Sequence, residues 1–325
     1  MPPSRIAITM GDPAGIGPEV IAGALAALPT AERASLCVVG DGEVMARAAR
    51  LTGAGIDFAE AGDDADTVRL VSVPLADRGA LKDGQISPAG GEAAYRSVVR
   101  AVELVKAGGI AAIVTAPLNK SALHAAGHAY DGHTELLAKL TGARRSFMLL
   151  VSDKLAAIHV STHVSLKEAT ERATTARVLA TIQAGHAHFR ELGLARPRIA
   201  VAGLNPHCGE GGLFGREELD EINLAIEMAR GEGIDATGPL PADTVFHRAL
   251  KREFDLVVAQ YHDQGHIPTK LVAFDETVNV TLGLPIKRTS VDHGTAFDIA
   301  WKGLARPTNM LAAIAYARRM VGAAL

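Results

Sequence analysis

The sequence predicts an α/β protein built on largely parallel β-sheets, and two observations support this. Short runs rich in β-branched residues alternate with longer helical patterns along almost all of the 325 residues, as in repeated βαβ units. Most runs are unbroken apolar segments, which is typical of strands covered on both faces. The predicted strands are Ile6–Thr9, Leu36–Val39, Leu70–Val73, Ile110–Thr115, Phe147–Val151, Ala156–Val160, Ile199–Ala202 and Leu256–Tyr261.

Helical patterns fill the intervals between these runs, over Gly91–Lys106, Ser165–Leu192 and Arg216–Arg230. The second opens with Ser165-Leu-Lys-Glu, a capping-box signature. The length is sufficient for two domains. No linker rich in Pro or Ser divides the chain, so we expect any domain crossing to lie within ordered structure.

Composition narrows the classes of function. The chain carries 33 basic and 36 acidic residues, a formal net charge of −3. It therefore lacks the positive electrostatic field that attracts nucleic acid. The hydrophobic fraction of 48% excludes a disordered chain. We expect a soluble protein, since no apolar run has the length of a signal peptide or a membrane span. Two cysteines, Cys37 and Cys208, cannot build a disulfide framework, which favours the cytoplasm.

A glycine-rich turn follows the first strand, in Gly11-Asp-Pro-Ala-Gly-Ile-Gly-Pro-Glu-Val. Gly15 and Gly17 supply a G-x-G pattern, but Val20 stands where a dinucleotide-binding loop has its third glycine. No Gly-Lys-Ser/Thr follows, so a P-loop is excluded as well. We interpret the segment as a tight turn, with Pro18 in the first turn of the next helix.

Three histidines each follow the end of an apolar strand: His163, His207 and His262. Open α/β sheets bind ligands beyond the carboxyl ends of their strands, and three imidazoles there could hold a divalent metal with positions left for substrate. The alternative for each residue is an inert, hydrogen-bonded side chain at a strand exit. The recurrence at three strand ends favours a site.

A second polar set suits an anionic substrate. Lys270, Asn279 and Arg288 offer an ammonium, an amide and a guanidinium, a suitable combination for a phosphomonoester, although such residues also decorate ordinary surfaces. His133 and Thr134 lie at a turn before a predicted helix, where backbone N–H groups favour anions.

Seven motifs together resemble the 4-hydroxythreonine-4-phosphate dehydrogenase family of pyridoxine biosynthesis, over essentially the whole chain. They are Gly11-Asp-Pro-Ala-Gly-Ile-Gly-Pro-Glu, Gly132-His-Thr-Glu, Ser161-Thr-His, Leu204-Asn-Pro-His, Gly238-Pro-Leu-Pro-Ala-Asp-Thr, Tyr261-His-Asp-Gln-Gly and Arg288-Thr-Ser-Val-Asp-His-Gly-Thr-Ala. The string from His293 is also similar to the adenosine-binding loop of isocitrate and isopropylmalate dehydrogenases. The resemblance therefore implies two α/β/α domains with a cleft between them, in a fold that binds NAD without a Rossmann domain. We place the first domain at 1–120 plus 265–325, with the nucleotide loop, and the second at 121–264, with the metal ligands and the dimer interface.

The resemblance also implies roles for residues. His163, His207 and His262 become ligands of one divalent cation (Zn, Mg or Co) in a site shared across a homodimer interface. His133, Thr134, Lys270, Asn279 and Arg288 become contacts of a small phosphorylated hydroxy acid, and the general base stays open among His133, Lys270 and Asp243, with Asp263 lining the same crevice. The residues implied to bind NAD or NADP are His293, Gly294, Thr295, Ala296 and Asp298.

The implied reaction is oxidation of a 4-phosphorylated 3-hydroxy acid followed by decarboxylation, giving 3-amino-2-oxopropyl phosphate. Two departures from the family pattern bear on the identity of the substrate. Lys287 stands where we expect an apolar residue, and the stretches from Gly265 and Phe297 resemble a catabolic branch that oxidises D-threonate or D-erythronate 4-phosphate to dihydroxyacetone phosphate. A third branch, acting on a dihydrodiol dicarboxylate without phosphate, is disfavoured by the intact set of Lys270, Asn279 and Arg288. The remote alternative is a non-catalytic protein that binds phosphorylated acids.

Overall fold

A computed structural model describes residues 5–60 and 66–322 of the chain. The chain divides into two compact units, the first formed by Met1–Ser146 with Leu284–Leu325 and the second by Phe147–Gly283. Both boundaries fall further along the chain than the sequence predicted. Segment 121–146 therefore belongs to the first unit, and segment 265–283 to the second.

The elements alternate as expected for an α/β protein. The strands are β1 (Ile6–Thr9), β2 (Leu36–Gly40), β3 (Asp57–Ala59), β4 (Thr67–Ser72), β5 (Ala112–Thr115), β6 (Phe147–Val151), β7 (Ala156–His159), β8 (Ile199–Ala202), β9 (Ala236–Leu240), β10 (Leu256–Ala259), β11 (Val278–Leu282) and β12 (Lys287–Val291). The helices are α1 (Gly17–Ala27), α2 (Thr30–Arg33), α3 (Gly42–Thr52), α4 (Pro88–Lys106), α5 (Lys120–Ala125), α6 (His133–Thr141), α7 (Leu166–Arg172), α8 (Thr175–Glu191), α9 (Asn223–Gly231), α10 (Ala242–Leu250), α11 (His262–Ala273) and α12 (Thr308–Met320).

The first unit contains strands in the order β3-β4-β2-β1-β5-β12, and every pair is parallel. Its central strands β1 and β5 are fully buried, which explains their unbroken apolar sequences. Helix α4 packs Val98 and Val102 against Ile113 of β5. Leu136 and Leu137 of α6 join the same core, so residues 121–146 are part of this unit.

The second unit contains strands in the order β11-β6-β7-β10-β8-β9. Strands β7, β10, β8 and β9 run parallel, whereas β6 is antiparallel to both of its neighbours. Strand β11 was not predicted, and its pairing with β6 places residues 265–283 in this unit. The core on one face includes Ala157, Ala200 and Val257, covered by Val245 and Phe246 of α10.

The structure confirms the strands at Ile6–Thr9, Phe147–Val151 and Ile199–Ala202 at both ends. The prediction of a single helix over Ser165–Leu192 is wrong, because the structure has two helices there, α7 and α8. Ala173 leaves helical geometry, and Thr174 caps α8. The capping role of Ser165 is confirmed, since its hydroxyl accepts the backbone N–H of Glu168 at 3.2 Å. Within the described part of the chain, no helix combines the length and the apolar character that crossing a membrane requires.

Candidate active site

The three predicted metal ligands follow three adjacent strands of the second unit. Strands β7, β10 and β8 lie side by side and run parallel, and His163, His262 and His207 follow them respectively. The carboxyl ends of parallel neighbours meet at one edge of a sheet. The topology therefore gathers the three segments, as the sequence predicted.

His163 and His262 lie close together. Their ring centroids are 5.7 Å apart, and both rings line a cavity of about 550 Å³ together with Asp263. Asp263 Oδ1 lies 2.6 Å from His262 Nδ1. Because a carboxylate accepts, Nδ1 carries the proton, and Nε2 of His262 is left as the lone-pair donor that a divalent cation needs.

His207 lies in a loop of unusual backbone conformation after β8. Residues 207–211 all adopt left-handed backbone angles, with φ between 44° and 78°. This conformation is costly for residues other than glycine. The buried carboxylate of Glu218 supports the loop, accepting the backbone N–H groups of Leu204 and Asn205 at 2.7 Å each. His207 itself is exposed, and across residues 5–60 and 66–322 no three His, Cys, Asp or Glu side chains form a metal-binding group.

Asp243 lies at the start of α10, beside the same loop, and its charge contributes to the raised pKa of Cys208. Burial is the largest cause of that shift, followed by Glu218. The Cys208 thiol is therefore a poor source of thiolate, although it adjoins His207.

Two histidines that sequence reasoning missed lie behind His262. His159 ends β7 and is fully buried, and His266 lies one turn after His262 on α11. Burial lowers the pKa of His159 to about 4 and that of His266 to about 3, so both rings are neutral at pH 7. The four-residue spacing of His262 and His266 on a helix was the available signal.

In the first unit, Arg288 is a buried cation on β12. Its Nε and Nη2 donate to Thr115 Oγ1 at the end of β5, at 3.2 and 2.7 Å. Burial lowers its pKa to about 9 while the charge of Glu135 acts in the opposite direction, so the guanidinium stays protonated at pH 7. Sequence reasoning did not identify Thr115.

His133 opens helix α6 beside this cation. Its Nε2 is buried and has no hydrogen-bond partner among the described residues. Burial, and then the charge of Arg288, hold the pKa of His133 well below 6.5, so the ring is neutral at pH 7. Thr134 is the next residue of the same helical turn. The structure thus brings His133 and Arg288 together, as predicted.

Lys287 is explained by the alternation of side chains along β12. Neighbouring residues of a strand point to opposite faces, and Lys287 donates to the backbone carbonyl of Met320 at the end of α12. It therefore does not add a second charge to the surroundings of Arg288.

Lys270 and Asn279 belong to the second unit. Lys270 lies on α11, with its ammonium 5.9 Å from the Phe274 ring centroid. Asn279 lies on β11 opposite Leu150, and its Oδ1 is buried without a hydrogen-bond partner among the described residues. Their roles as substrate contacts stay predictions.

The glycine turn of the first unit is closed against the predicted nucleotide loop. Residues 10–22 are buried, the N–H of Gly15 donates to the Asp12 carbonyl, and the N–H of Ile16 donates to the Thr295 carbonyl. A Cβ on Gly15 would lie 2.8 Å from Thr295 Cβ. These glycines therefore permit contact between two backbone segments, which supports the interpretation of a tight turn and not a Rossmann loop.

The first turn of α1 anchors the far end of the predicted nucleotide loop. The buried carboxylate of Glu19 accepts the N–H groups of Trp301 and Gly303 at 2.6 and 2.9 Å. The indole Nε1 of Trp301 donates to the Pro13 carbonyl at 3.0 Å. Segment 293–303 is thus attached to the glycine turn at both ends.

Parallel strands followed by histidines in one unit, and a buried arginine beside a neutral histidine in the other, are the polar groups expected of an α/β enzyme. The chain belongs to the family described as pyridoxal phosphate biosynthetic protein PdxA, whose model matches residues 32–317.

Similar proteins carry two names. The chain is 48% identical to D-threonate 4-phosphate dehydrogenase of Pectobacterium atrosepticum, over 97% of this chain and 98% of the relative. It is also 48% identical to 4-hydroxythreonine-4-phosphate dehydrogenase of Beijerinckia indica, over 97% and 94% respectively. A crystal structure of 4-hydroxythreonine-4-phosphate dehydrogenase from Klebsiella pneumoniae matches with a TM-score of 0.86 at 44% identity, covering 98% of this chain and 99% of that one.

Proposed function

We propose that the protein catalyses the NAD-dependent, divalent-metal-assisted oxidation and decarboxylation of a 4-phosphorylated 3-hydroxy acid, with 4-hydroxythreonine 4-phosphate as the first candidate substrate. NADP is the alternative cofactor. The observation that carries the proposal is the 5.7 Å pair of His163 and His262 at adjacent strand ends, in a chain 48% identical to relatives named as dehydrogenases of such substrates.

The histidine pair fits a divalent cation of the Zn, Mg or Co type. Asp263 keeps the proton of His262 on Nδ1, so Nε2 can bind a cation, and His163 supplies a second imidazole. The metal, when bound, would polarise the substrate hydroxyl and favour loss of its proton. His207 would be the third ligand.

Arg288 is suited to bind the phosphate end of the substrate. Its burial makes the guanidinium charge costly, as its lowered pKa shows, and an anion reduces that cost. We propose that Lys270 and Asn279 contact the same group and that Thr134 adds a hydroxyl.

His133 presents a neutral ring to the substrate, because its pKa is far below 7. A group that binds a proton so weakly is a poor general base at neutral pH. We therefore assign His133 to hydrogen bonding with the substrate, and we propose that Lys270 or Asp243 takes the proton of the substrate hydroxyl. A nicotinamide cofactor, when bound, would supply the acceptor for the hydride of C3.

We propose that His293, Gly294, Thr295, Ala296 and Asp298 bind the nucleotide. The attachment of this segment to the glycine turn and to Glu19 supports the proposal, because it orders the loop before any ligand binds. We further propose a cytoplasmic location, supported by the two free cysteines.

A homodimer with a shared metal site would bring His207 of one chain to the histidine pair of another. Helix α11 supports this, because Ile267, Leu271 and Phe274 share one face and are 63, 83 and 70% exposed. Mixing His163→Ala with His207→Ala subunits should restore part of the activity that each variant lacks. No recovery after verified subunit exchange would indicate a site built from one chain.

A second candidate substrate is D-threonate 4-phosphate, or its erythronate analogue. The relative from Pectobacterium atrosepticum bears that name, and the stretches containing His266 and Trp301 resemble the catabolic branch. With a 2-hydroxy substrate the product would be dihydroxyacetone phosphate.

Comparing kcat/KM among the phosphorylated substrates tests the proposal. NADH formation should require both NAD and a divalent cation, and the preferred substrate should exceed the others by at least about tenfold, equal to 1.4 kcal/mol of transition-state binding. Binding of the phosphorylated acids without any NADH formation would instead support the non-catalytic alternative.

A further inference from the structure

A pair of buried histidines lies directly behind His262, and the proposed reaction makes no use of it. The ring of His266 stacks on the ring of His262, with centroids 3.6 Å apart and planes 13° apart. His159 lies behind His266, with ring centroids 4.7 Å apart. One end of this row is the predicted metal ligand His262, which is half-buried, and the other end is His159, which is fully buried in the second unit.

The hydrogen bonds of the pair define its protonation. His159 Nδ1 lies 3.1 Å from the Met148 carbonyl, which can only accept, so Nδ1 carries the proton and Nε2 is an acceptor. His266 Nδ1 lies 3.1 Å from that Nε2 and 3.0 Å from the His262 carbonyl, two acceptors. Its Nδ1 therefore also carries a proton, and the row is satisfied with both rings neutral.

Close packing keeps the row in place. A Cβ on Gly265 would lie 2.3 Å from His159 Nε2, so only glycine lets α11 pass this close to the His159 ring. His262 is otherwise held by Asp263, whose side chain is 67% exposed. The stacked ring of His266 restrains the orientation of His262 on the side that faces the core.

We propose that His266, supported by His159, is a positioning residue that holds the His262 imidazole ready to bind a divalent cation through Nε2. The inference rests on the proposed metal site. Residues behind a metal ligand typically change metal affinity or activity by about 10- to 100-fold when replaced. A purely space-filling role would change stability and leave metal affinity as it is.

Two substitutions separate the contributions of His266. His266→Asn keeps an N–H donor near the position of Nδ1 but removes the stacked ring, whereas His266→Phe keeps a ring and removes the donor. His188→Phe is the matched control, because His188 is another buried histidine of the second unit, on α8. The full-length proteins would be titrated with Co²⁺ against a chelator, with circular dichroism to verify folding.

We expect His266→Asn to weaken Co²⁺ binding by about tenfold or more and to shift the Co²⁺ absorption bands, with His266→Phe intermediate and His188→Phe unchanged. Folded His266 variants with wild-type affinity and bands would overturn the proposal while leaving the metal site intact. A wild-type protein that binds no Co²⁺ would overturn the metal site, and the inference with it.

A measurement on the wild-type protein covers the case in which the variants do not fold. Nitrogen-15 spectra of the labelled histidines should show His159 and His266 as neutral rings protonated on Nδ1. A proton on Nε2 of either ring would contradict the hydrogen-bonded row, and with it the positioning role.

Discussion

The glycine turn of the first unit and the histidine segments of the second both follow buried parallel strands. They differ in how far the rest of the chain buries them. Residues 11–17 are buried, and the N–H groups of Gly15 and Ile16 are bonded to the protein itself. His163 and His207 are exposed. The carboxyl end of a parallel strand thus supports either a closed structural junction or an open ligand site. The difference lies in whether another segment of the chain covers it.

The largest expected effect concerns the histidines that follow the strands of the second unit. His262→Ala removes a proposed ligand, so we expect metal affinity to fall by more than the ~100-fold upper range for residues behind a ligand, and turnover to be abolished. Chelator competition and NADH formation measure the two effects. His247→Ala, at an exposed histidine of α10, is the control. A folded His262→Ala protein with wild-type metal affinity would exclude His262 as a ligand.

The next largest effect is expected from replacing Arg288, the buried cation of the first unit. Arg288→Lys keeps the charge and loses the planar fork, so KM for a 4-phosphorylated substrate should rise about ten- to hundredfold, or ~1.5–3 kcal/mol. NAD affinity should stay within twofold. Lys287→Met is the matched control, since Lys287 bonds to the Met320 carbonyl. If Arg288→Lys weakens NAD and leaves the substrate KM unchanged, the two ligands are assigned to the wrong loops.

In the buried glycine turn of the first unit, the addition of a single methyl group should be poorly tolerated. Gly15→Ala would place Cβ 2.9 Å from the Thr295 carbonyl oxygen, which is backbone and yields little. We expect the free energy of unfolding to fall by about 1–3 kcal/mol, measured by denaturant titration. Gly294→Ala in the neighbouring loop meets no atom within 4 Å and should be nearly neutral. Equal effects of the two changes would contradict the close contact at Gly15.

The smallest expected effect depends on pH. Asp12, in the glycine turn, is fully buried; burial raises its pKa to about 6, while the Ala14 N–H acts in the opposite direction. A carboxyl with a raised pKa in the folded state stabilises the fold below its unfolded pKa of 3.8, and that contribution is lost as the pH rises through about 6.

Asp12→Asn removes this dependence. The amide cannot ionise, so the variant should gain stability relative to the wild type as the pH rises from 4 to 7. We expect a gain of about 1 kcal/mol at pH 7. Raising a carboxyl pKa from 3.8 to about 6 corresponds to roughly 3 kcal/mol, and desolvation of the amide N–H groups offsets part of it. Parallel stability curves for the two proteins would show that Asp12 titrates normally.

The sequence by itself determined the fold class and the position of the candidate site. Apolar runs such as Ile6–Thr9 and Ile199–Ala202 predicted buried parallel strands, because only strands covered on both faces are apolar throughout. The same pattern located His163, His207 and His262 at strand ends. Val20, at the position of the third glycine, argued against a Rossmann loop, and the family resemblance removed that alternative. These inferences need only local patterns along the chain.

Other features depended on residues far apart in sequence, and only the tertiary structure decided them. The row of His159, His266 and His262 joins positions about a hundred residues apart. It depends on the pairing of β7 with β10, which local sequence patterns do not reveal. The contact of Gly15 with Thr295, the bond of Arg288 to Thr115 and the antiparallel strand β11 are of the same kind. Such contacts depend on which strands become neighbours, and packing of the whole sheet, not the propensity of any segment, selects those neighbours.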